Sequence, residues 1–264
     1  MDFPPNPLER PGYTLEFSDE FDRETLDTGK WFPYLLPHWS SLERTSARYA
    51  LKDGSLRLRI EEDQPTWVDG SDRVANLQTG HFSGPKGSQV GQFRHYNPAF
   101  VVTENLPTVR HYTPLFGYFE VRLKALAVTG YHTALWMIGF DQPQAGEIRC
   151  FELHGGNIEP GRSRVDTGIL SWDDPNLMQE TYEDWLPFNA AEYHVYGVEW
   201  TPERVDFYVD NRKFRSIEQS PKYPMQFMLG LYERPHELRA EDAIIPFPRV
   251  CEIDYFRAYR AKNG

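Results

Sequence analysis

Residues 197–214 read GVEWTPERVDFYVDNRKF and contain two tight-turn signals between short apolar stretches. The first signal is TPE at 201–203, because proline is pre-set for the second position of a type I turn. The second is the pair Asp210-Asn211, because both residue types tolerate positive φ. Three strands would then follow one another through hairpins. This predicts an antiparallel sheet rather than strands joined by helices.

Alternation of apolar and polar residues predicts further strands. In 116–124, Phe119, Val121 and Leu123 would lie on one face of an extended chain, with polar residues on the other. Residues 55–60 alternate in the same way, and both segments are predicted to be half-buried strands. The 21 prolines disfavour long helices, so only 181–186 and 235–242 are expected to form a helical turn or two. The fold class is therefore predicted to be all-β.

The arrangement of these strands is expected to be a single sandwich. About a dozen strands without a fixed repeat favour two packed antiparallel sheets over a propeller or solenoid. Four prolines in the first dozen residues predict an extended surface arm, 1–12, ahead of one domain, 13–264. The loops predicted at 63–76 and 173–189 would wall a groove.

Composition excludes several classes of protein. The chain has 264 residues, of which 40% are hydrophobic, and this is enough for a full core. The 28 Lys and Arg against 39 Asp and Glu give a net charge of −11, which disfavours nucleic acid and anionic lipid as partners. The longest apolar run, 134–139, is too short to span a membrane. Cys150 and Cys251 lack zinc spacing and are predicted to be buried, reduced thiols.

The first residues, MDFPPNPLERPGY, lack the features of a secretory leader. Two readings follow for localisation: a cytoplasmic chain, or a form whose leader is missing.

Residues 146–154, GEIRCFELH, carry the most informative polar side chains. Glu147 and Glu152 are five positions apart, and in a regular strand this spacing would bury one carboxylate in the core. A β-bulge between them removes the conflict, because one extra residue places Glu147, Arg149, Glu152 and His154 on the same side. Two glutamates on one sheet face are what retaining glycoside hydrolysis requires, one as nucleophile and one as acid/base.

This segment resembles the active-site signature of family 16 glycoside hydrolases, which is E-x-D-x-x-E in the laminarinase-like branch. Blocks similar to other strands of the family occur in the same order over residues 13–260. These blocks are FSDEFD (17–22), KDGSLRL (52–58), GYFEVRLK (117–124), ALWM (134–137), HVYGVEWTP (194–202) and EIDYFR (252–257). The resemblance implies a concanavalin A-like β-jelly-roll sandwich with a concave carbohydrate cleft.

The resemblance implies a retaining, endo-acting hydrolase of a β-linked polysaccharide, with a β-1,3- or β-1,3/1,4-glucan as the first expectation. Glu147 matches the nucleophile and Glu152 the acid/base, while Arg149 stands where the family has Asp. A cation beside a general acid favours its ionised form, which cannot protonate a leaving group.

Three readings stay open at this point. In the first, the enzyme is competent because Arg149 turns to Glu120 or because His154 shares the proton. In the second, the chain is a carbohydrate-binding protein that kept the cleft and lost turnover. In the third, the jelly roll serves protein interaction alone.

Aromatic and polar residues near the glutamates complete the predicted substrate-binding set: Trp136, His154, Trp172 and Arg149. Trp136 would be a platform for a sugar ring, with a core aromatic as the alternative. His154 is equally well explained as an ordinary surface histidine. Among the other tryptophans in loops, one or two are expected to line the cleft.

Many family members bind a structural calcium ion, and the resemblance implies Glu20, the Gly54 carbonyl and Asp254 as its ligands here. An ordinary edge-strand charge is the alternative for Asp254. No cofactor is expected for catalysis. The chain is expected to act as a monomer on a polysaccharide or oligosaccharide.

Overall fold

The computed structural model describes residues 1–141 and 145–262, and it consists mainly of two antiparallel sheets. We call the first the back sheet, and it has eight strands. These are β1 (Tyr13–Asp19), β2 (Arg48–Lys52), β3 (Ser55–Ile60), β7 (Gly117–Lys124), β13 (His194–Trp200), β14 (Val205–Val209), β15 (Arg212–Ile217) and β17 (Arg249–Ala261). Their spatial order is β15-β14-β13-β7-β17-β3-β2, with β1 also paired to β17.

The second, which we call the front sheet, has seven strands. These are β4 (Val74–Gln78), β8 (Tyr131–Gly139), β9 (Glu147–His154), β10 (Ile158–Glu159), β11 (Arg162–Leu170), β12 (Glu180–Leu186) and β16 (Met225–Glu233). Their order is β10-β11-β9-β8-β16-β4, with β12 also paired to β11. A small separate sheet joins β5 (Gly80–His81) to β6 (Val109–Arg110).

Helices are short. The described residues contain α1 (Leu42–Thr45), α2 (Ala240–Ala243) and the 3₁₀ turns Pro37–Trp39, Arg94–Tyr96, Gly155–Asn157 and Pro235–Glu237. In the described ranges, no helix has the length and apolar character that a membrane span requires.

The predicted all-β jelly-roll sandwich is confirmed. Both predicted hairpins form, with Thr201 N–H donating to the Arg204 carbonyl at 2.9 Å and with positive φ at Asp210 and Asn211. The expected helical turns at 235–242 are also present. The helical turn expected at 181–186 is wrong, because that segment is strand β12, whose alternate side chains are exposed. The loops expected at 63–76 and 173–189 are correspondingly shorter, since they contain β4 and β12.

The core lies between the two sheets. Its largest buried side chains include Trp31, Phe119, Phe207 and Phe227, each at most 1% exposed. Leu56, Leu58 and Ile60 are also fully buried, as the alternation in β3 predicts. Cys150 and Cys251 are both buried and free, as expected.

Strand β7 departs from its predicted half-burial, because both of its faces are covered. Its core-facing residues pack between the sheets, while Glu120 and Arg122 on the other face lie under residues 1–12. Asn6 Nδ2 donates to Glu120 Oε2 at 2.8 Å, and both Nε and Nη2 of Arg122 donate to the Phe3 carbonyl. The arm therefore supplies polar partners that the strand's own alternation does not reveal. The division into an arm and one domain stays a prediction.

Buried neutral histidines make the free energy of unfolding depend on pH. His38 and His81 are fully buried with Nδ1 and Nε2 3.1 Å apart, and burial lowers the pKa of both, that of His38 to about 3. The unfolded chain gains protons below its histidine pKa of about 6.5, whereas His38 in the folded chain stays neutral down to about pH 3. Stability is therefore lost as the pH falls through this window.

We expect His38 to lower the free energy of unfolding by about 1.4 kcal/mol per pH unit as the pH falls below 6.5. Urea titrations at pH 7 and pH 5 measure this fall. His38→Gln should show a smaller fall, and the exposed control His236→Gln should match the parent chain. Equal falls in the parent and His38→Gln would contradict the assignment.

Candidate active site

The two glutamates of 146–154 share one face because β9 has the predicted bulge. On β8, Leu135 pairs with Phe151 and the next residue, Trp136, pairs with Arg149, so Cys150 is the extra residue. The neighbouring strand β11 shows the same shift. Cys150 and Phe151 both point into the core, which returns Glu152 to the outer face of the front sheet.

A cavity of about 300 Å³ lies on this outer face. Five of the six residues predicted for catalysis or sugar binding line it together: Trp136, Glu147, Arg149, Glu152 and Trp172. The sixth, His154, lies directly beside Glu152 and lines a second cavity of about 250 Å³. Of the other loop tryptophans, Trp67 also lines the first cavity, while Trp39 is buried in loop packing.

Glu147 is 5% exposed and is held by one tryptophan. Trp172 Nε1 donates to Glu147 Oε2 at 3.0 Å. The backbone of Trp172 has a φ of 47°, a value that residues other than glycine rarely adopt. Burial and the nearby charge of Glu152 raise the pKa of Glu147 to about 7. Near neutral pH this carboxyl therefore keeps a proton for much of the time.

Glu152 has cationic neighbours instead. Arg149 Nε lies 3.4 Å and His154 Nε2 3.6 Å from Glu152 Oε2. Burial alone would raise the pKa of Glu152, but the close approach and charge of His154 and the charge of Arg149 hold it well below its usual range. His132 is close as well, but burial lowers its own pKa to about 3, so it is neutral near pH 7.

The pair therefore holds its shared proton on Glu147 rather than on Glu152. A nucleophile must be ionised and a general acid must be protonated, so this resting placement is the reverse of the one that the predicted roles require. Arg149 is one cause, as the sequence predicts. The suggestion that Arg149 turns to Glu120 is wrong, because Glu120 lies on the back sheet and bonds Asn6, whereas Arg149 contacts Glu152.

His154 lies in a network of carboxylates. Its Nδ1 is 3.1 Å from Glu237 Oε2, and its Nε2 is 3.7 Å from Asp166 Oδ2 as well as near Glu152. Burial lowers the pKa of His154, but the nearby Glu152 carboxylate and the hydrogen-bonded Glu237 outweigh it and raise that pKa above its ordinary value. The ring also stacks on His132, with centroids 5.0 Å apart.

Glu152, His154 and Asp166 form the one group of metal-ligand type found among the described residues. Arg164 Nε already binds Asp166 Oδ1 at 2.8 Å, and Arg149 lies against Glu152. These guanidinium groups neutralise the carboxylates that a cation would need, so the cluster fits a proton-holding network better than a metal site.

Arginines contact both carboxylates that are predicted to bind calcium. Glu20 accepts two hydrogen bonds from Arg257, at 2.9 and 2.7 Å, and Asp254 binds Arg122 Nη1 at 2.7 Å. Gly54 lies in the tight turn between β2 and β3, with φ of 70°. Since arginines take up the carboxylate oxygens, the implied calcium site stays an untested prediction without support from these contacts.

Several cavity residues were not anticipated from the sequence. Tyr232 on β16 stacks on His132 and accepts a hydrogen bond from Trp136 Nε1 at 2.7 Å. Phe93 and Tyr96 come from the loop between β5 and β6. The alternation of side chains along β16 would have placed Tyr232 on the outer face. No local sequence pattern identifies the aromatic residues of the loop.

Comparison with known proteins agrees with this geometry. The sequence profile of "Glycosyl hydrolases family 16" matches residues 103–243, a little over half of the chain and including both glutamates. A "Beta-glucanase" of Rhodothermus marinus is 25% identical over 95% of this chain and 86% of its own length.

Two solved structures are also similar. The "GlcNAcα1-4Gal releasing endo-β-galactosidase" of Clostridium perfringens is 34% identical with a TM-score of 0.84, and the match covers all of this chain but 66% of that one. The catalytic domain of an endo-1,3-β-glucanase from Thermotoga petrophila has a TM-score of 0.64 over 95% of this chain and 99% of its own length. At 18% identity, that second likeness concerns the fold alone.

Proposed function

The chain belongs to family 16 of the glycosyl hydrolases, and from that premise we propose that it cuts β-glycosidic bonds inside an oligosaccharide or polysaccharide with retention of configuration. The observation that carries the proposal is the bulge in β9, which brings Glu147 and Glu152 to one cavity wall between Trp136 and Trp172. Its enzyme class, a glycoside hydrolase, follows from family membership.

In the proposed reaction, the Glu147 carboxylate attacks the anomeric carbon while Glu152 gives its proton to the departing glycosidic oxygen. The bond between the anomeric carbon and that oxygen breaks, and a glycosyl ester forms on Glu147. Glu152, now ionised, takes a proton from water, which attacks the anomeric carbon and frees Glu147. The Trp172 indole N–H is placed to orient Glu147 for the first step.

The substrate class is proposed from the relatives and from the cavity. A β-1,3- or β-1,3/1,4-glucan is the expectation from the sequence, and the Rhodothermus relative is named a glucanase. The relative with 34% identity is named a galactosidase, which favours a β-galactoside beside the glucans. The aromatic wall of Trp136, Trp172 and Phe93 suits the apolar faces of either sugar.

A second candidate, a carbohydrate-binding protein without turnover, is favoured by one observation. Arg149 and His154 hold Glu152 ionised, and an ionised acid cannot assist the leaving group. Both candidates bind sugar, so they differ in chemistry alone.

The test is reducing-end release from laminarin, lichenan, xyloglucan, agarose, carrageenan and β-1,4-galactan, with the parent chain beside Glu147→Gln. We expect release from at least one polymer, and its disappearance in the variant. Binding without release from any polymer would contradict hydrolysis and support the binding protein. Neither binding nor release would leave protein interaction as the remaining function.

A further inference from the structure

The outer face of the front sheet is covered at its β4 edge. The outward-facing side chains of this strand, Val74, Asn76 and Gln78, are at most 4% exposed. On the adjacent strand β16, Met228 is fully buried as well and belongs to the same apolar cluster as Leu35, Leu36 and Trp67. A cleft that crossed the whole sheet would leave these side chains accessible.

The cover consists of residues 32–39 and the loop that contains Trp67. Residues 32–36 run beside β4, where Phe32 pairs with Gln78 and Asn76 Nδ2 donates to the Tyr34 carbonyl at 3.0 Å. Trp67 Nε1 donates to the Leu35 carbonyl at 2.9 Å. We call this cover the β4 wall.

The β4 wall is packed firmly against the sheet. Leu35, Leu36 and Trp67 belong to one apolar cluster with Trp136 and Tyr232, and all three also line the cavity. Leu36 has φ of 42°, a strained value that persists only where the surrounding packing imposes it. The wall is therefore built into the fold and forms one boundary of the cavity.

The opposite edge of the sheet is open. Residues directly opposite each other on paired strands share a face, so Thr181, Glu183 and Trp185 of β12 lie on the outer face with Gly168, Asp166 and Arg164 of β11. All three β12 residues are exposed, and Trp185 keeps 44% of its surface free beside the Arg162 guanidinium. Trp185 thus offers an aromatic surface at this end.

The cavity between these edges is short. Two strands, β8 and β16, separate β9 from β4, and neighbouring strands are about 4.8 Å apart. The cavity has a volume of about 300 Å³, which is at the low end for ligand pockets. It therefore has room for about one or two sugar rings rather than for an extended chain.

We infer that the cleft is closed by the β4 wall and open across β12, so that the chain cuts its substrate at a fixed short distance from one terminus. The inference rests on the proposed function and adds the position of the cut: the internal bond that is hydrolysed lies one or two sugars from an end of the substrate. The terminal one or two sugars would occupy the cavity between β9 and the β4 wall. The rest of the polymer would leave over β11 and β12, past Trp185.

The substrate for the test is the polymer of the panel that shows reducing-end release. It is labelled at its reducing end with 2-aminobenzamide, and the lengths of the first products are measured. We expect one short product length from the earliest time points. The label should be found either in that single short fragment or in long chains that shorten by a constant step, depending on which terminus enters the cavity. Labelled fragments of all lengths would overturn the inference while leaving hydrolysis itself intact. Absence of any release would overturn the proposed function and this inference with it.

Variants at the two ends separate the roles of the β4 wall and β12. Leu36→Gly removes the side chain while glycine accepts the backbone conformation, so longer first products should appear. Trp185→Ala should raise KM for the polymer several-fold and leave product length unchanged. Tyr49→Ala, an exposed aromatic on the back sheet, should change neither quantity. Unchanged products from a folded Leu36→Gly, or altered products from Trp185→Ala, would contradict the assignment.

Discussion

Glu147→Gln is expected to lower kcat by at least about 10³-fold while the affinity for the polysaccharide changes little. The amide is similar in size and can still accept a hydrogen bond from Trp172, so the cavity should keep its shape. It cannot form the glycosyl ester, however, and the double displacement stops at its first step. Initial rates and calorimetric titration with the same polymer measure the two quantities separately. Glu203→Gln, in the exposed turn between β13 and β14, is the matched control and should retain full activity.

The roles of the two glutamates are distinguished by azide. With Glu147→Ala, azide enters from the side that the carboxylate has left and should give the α-configured glycosyl azide. With Glu152→Ala, azide attacks the intermediate on Glu147 and should give the β-configured product. Proton NMR of the anomeric position identifies each product. The opposite pair of products would exchange the roles, in agreement with the resting proton on Glu147.

Arg149→Asp is expected to raise kcat. The pair carries one proton up to about pH 7, held mostly on Glu147, whereas reaction requires that proton on Glu152. Arg149 lies 3.4 Å from Glu152, so removing its charge stabilises a proton there most. Each pKa unit gained by Glu152 relative to Glu147 should raise the reactive fraction about tenfold. Arg149→Gln removes the charge without inverting it and should give a smaller gain.

The pH profile gives this prediction a second readout. Loss of a cation raises the affinity of the pair for its last proton, so the alkaline limb, expected near pH 7 in the parent, should move to higher pH. Thermal unfolding confirms that each variant is folded. A fall in kcat/KM caused by a higher KM, with an unmoved alkaline limb, would instead make Arg149 a substrate-binding residue.

The fold was predictable because its signals are local. The turn at 201–203, the pair Asp210-Asn211 and the alternation in β3 each depend on a few neighbouring residues, and all three are present as predicted. The bulge in β9 was predictable for a different reason. Burying one of two glutamates would be too costly, so the position of the charges implies the irregularity in the strand.

Long-range contacts account for what the sequence did not reveal. The expectation of a helical turn at 181–186 is wrong because nothing in these residues themselves indicates the pairing with β11 that makes the segment a strand. The burial of Glu120 depends on Asn6, which is 114 positions away. The placement of the proton on Glu147 depends on which glutamate Arg149 approaches. Strand parity places Glu147, Arg149 and Glu152 on one face, but it does not determine which of the two glutamates the arginine contacts.

The contacts of residues 1–12 also bear on how the chain reaches its native state. Arg257 donates to the Asn6 carbonyl across 251 positions, and β1 pairs with β17 over a similar separation. Because β7 lies between β13 and β17, the middle of the back sheet lacks a neighbour until β17 has been synthesised. Non-local pairing of this kind slows folding, so we expect completion of the back sheet to be a late and slow event during synthesis. Until then, the apolar face of β7 and its unpaired edge remain available to chaperones.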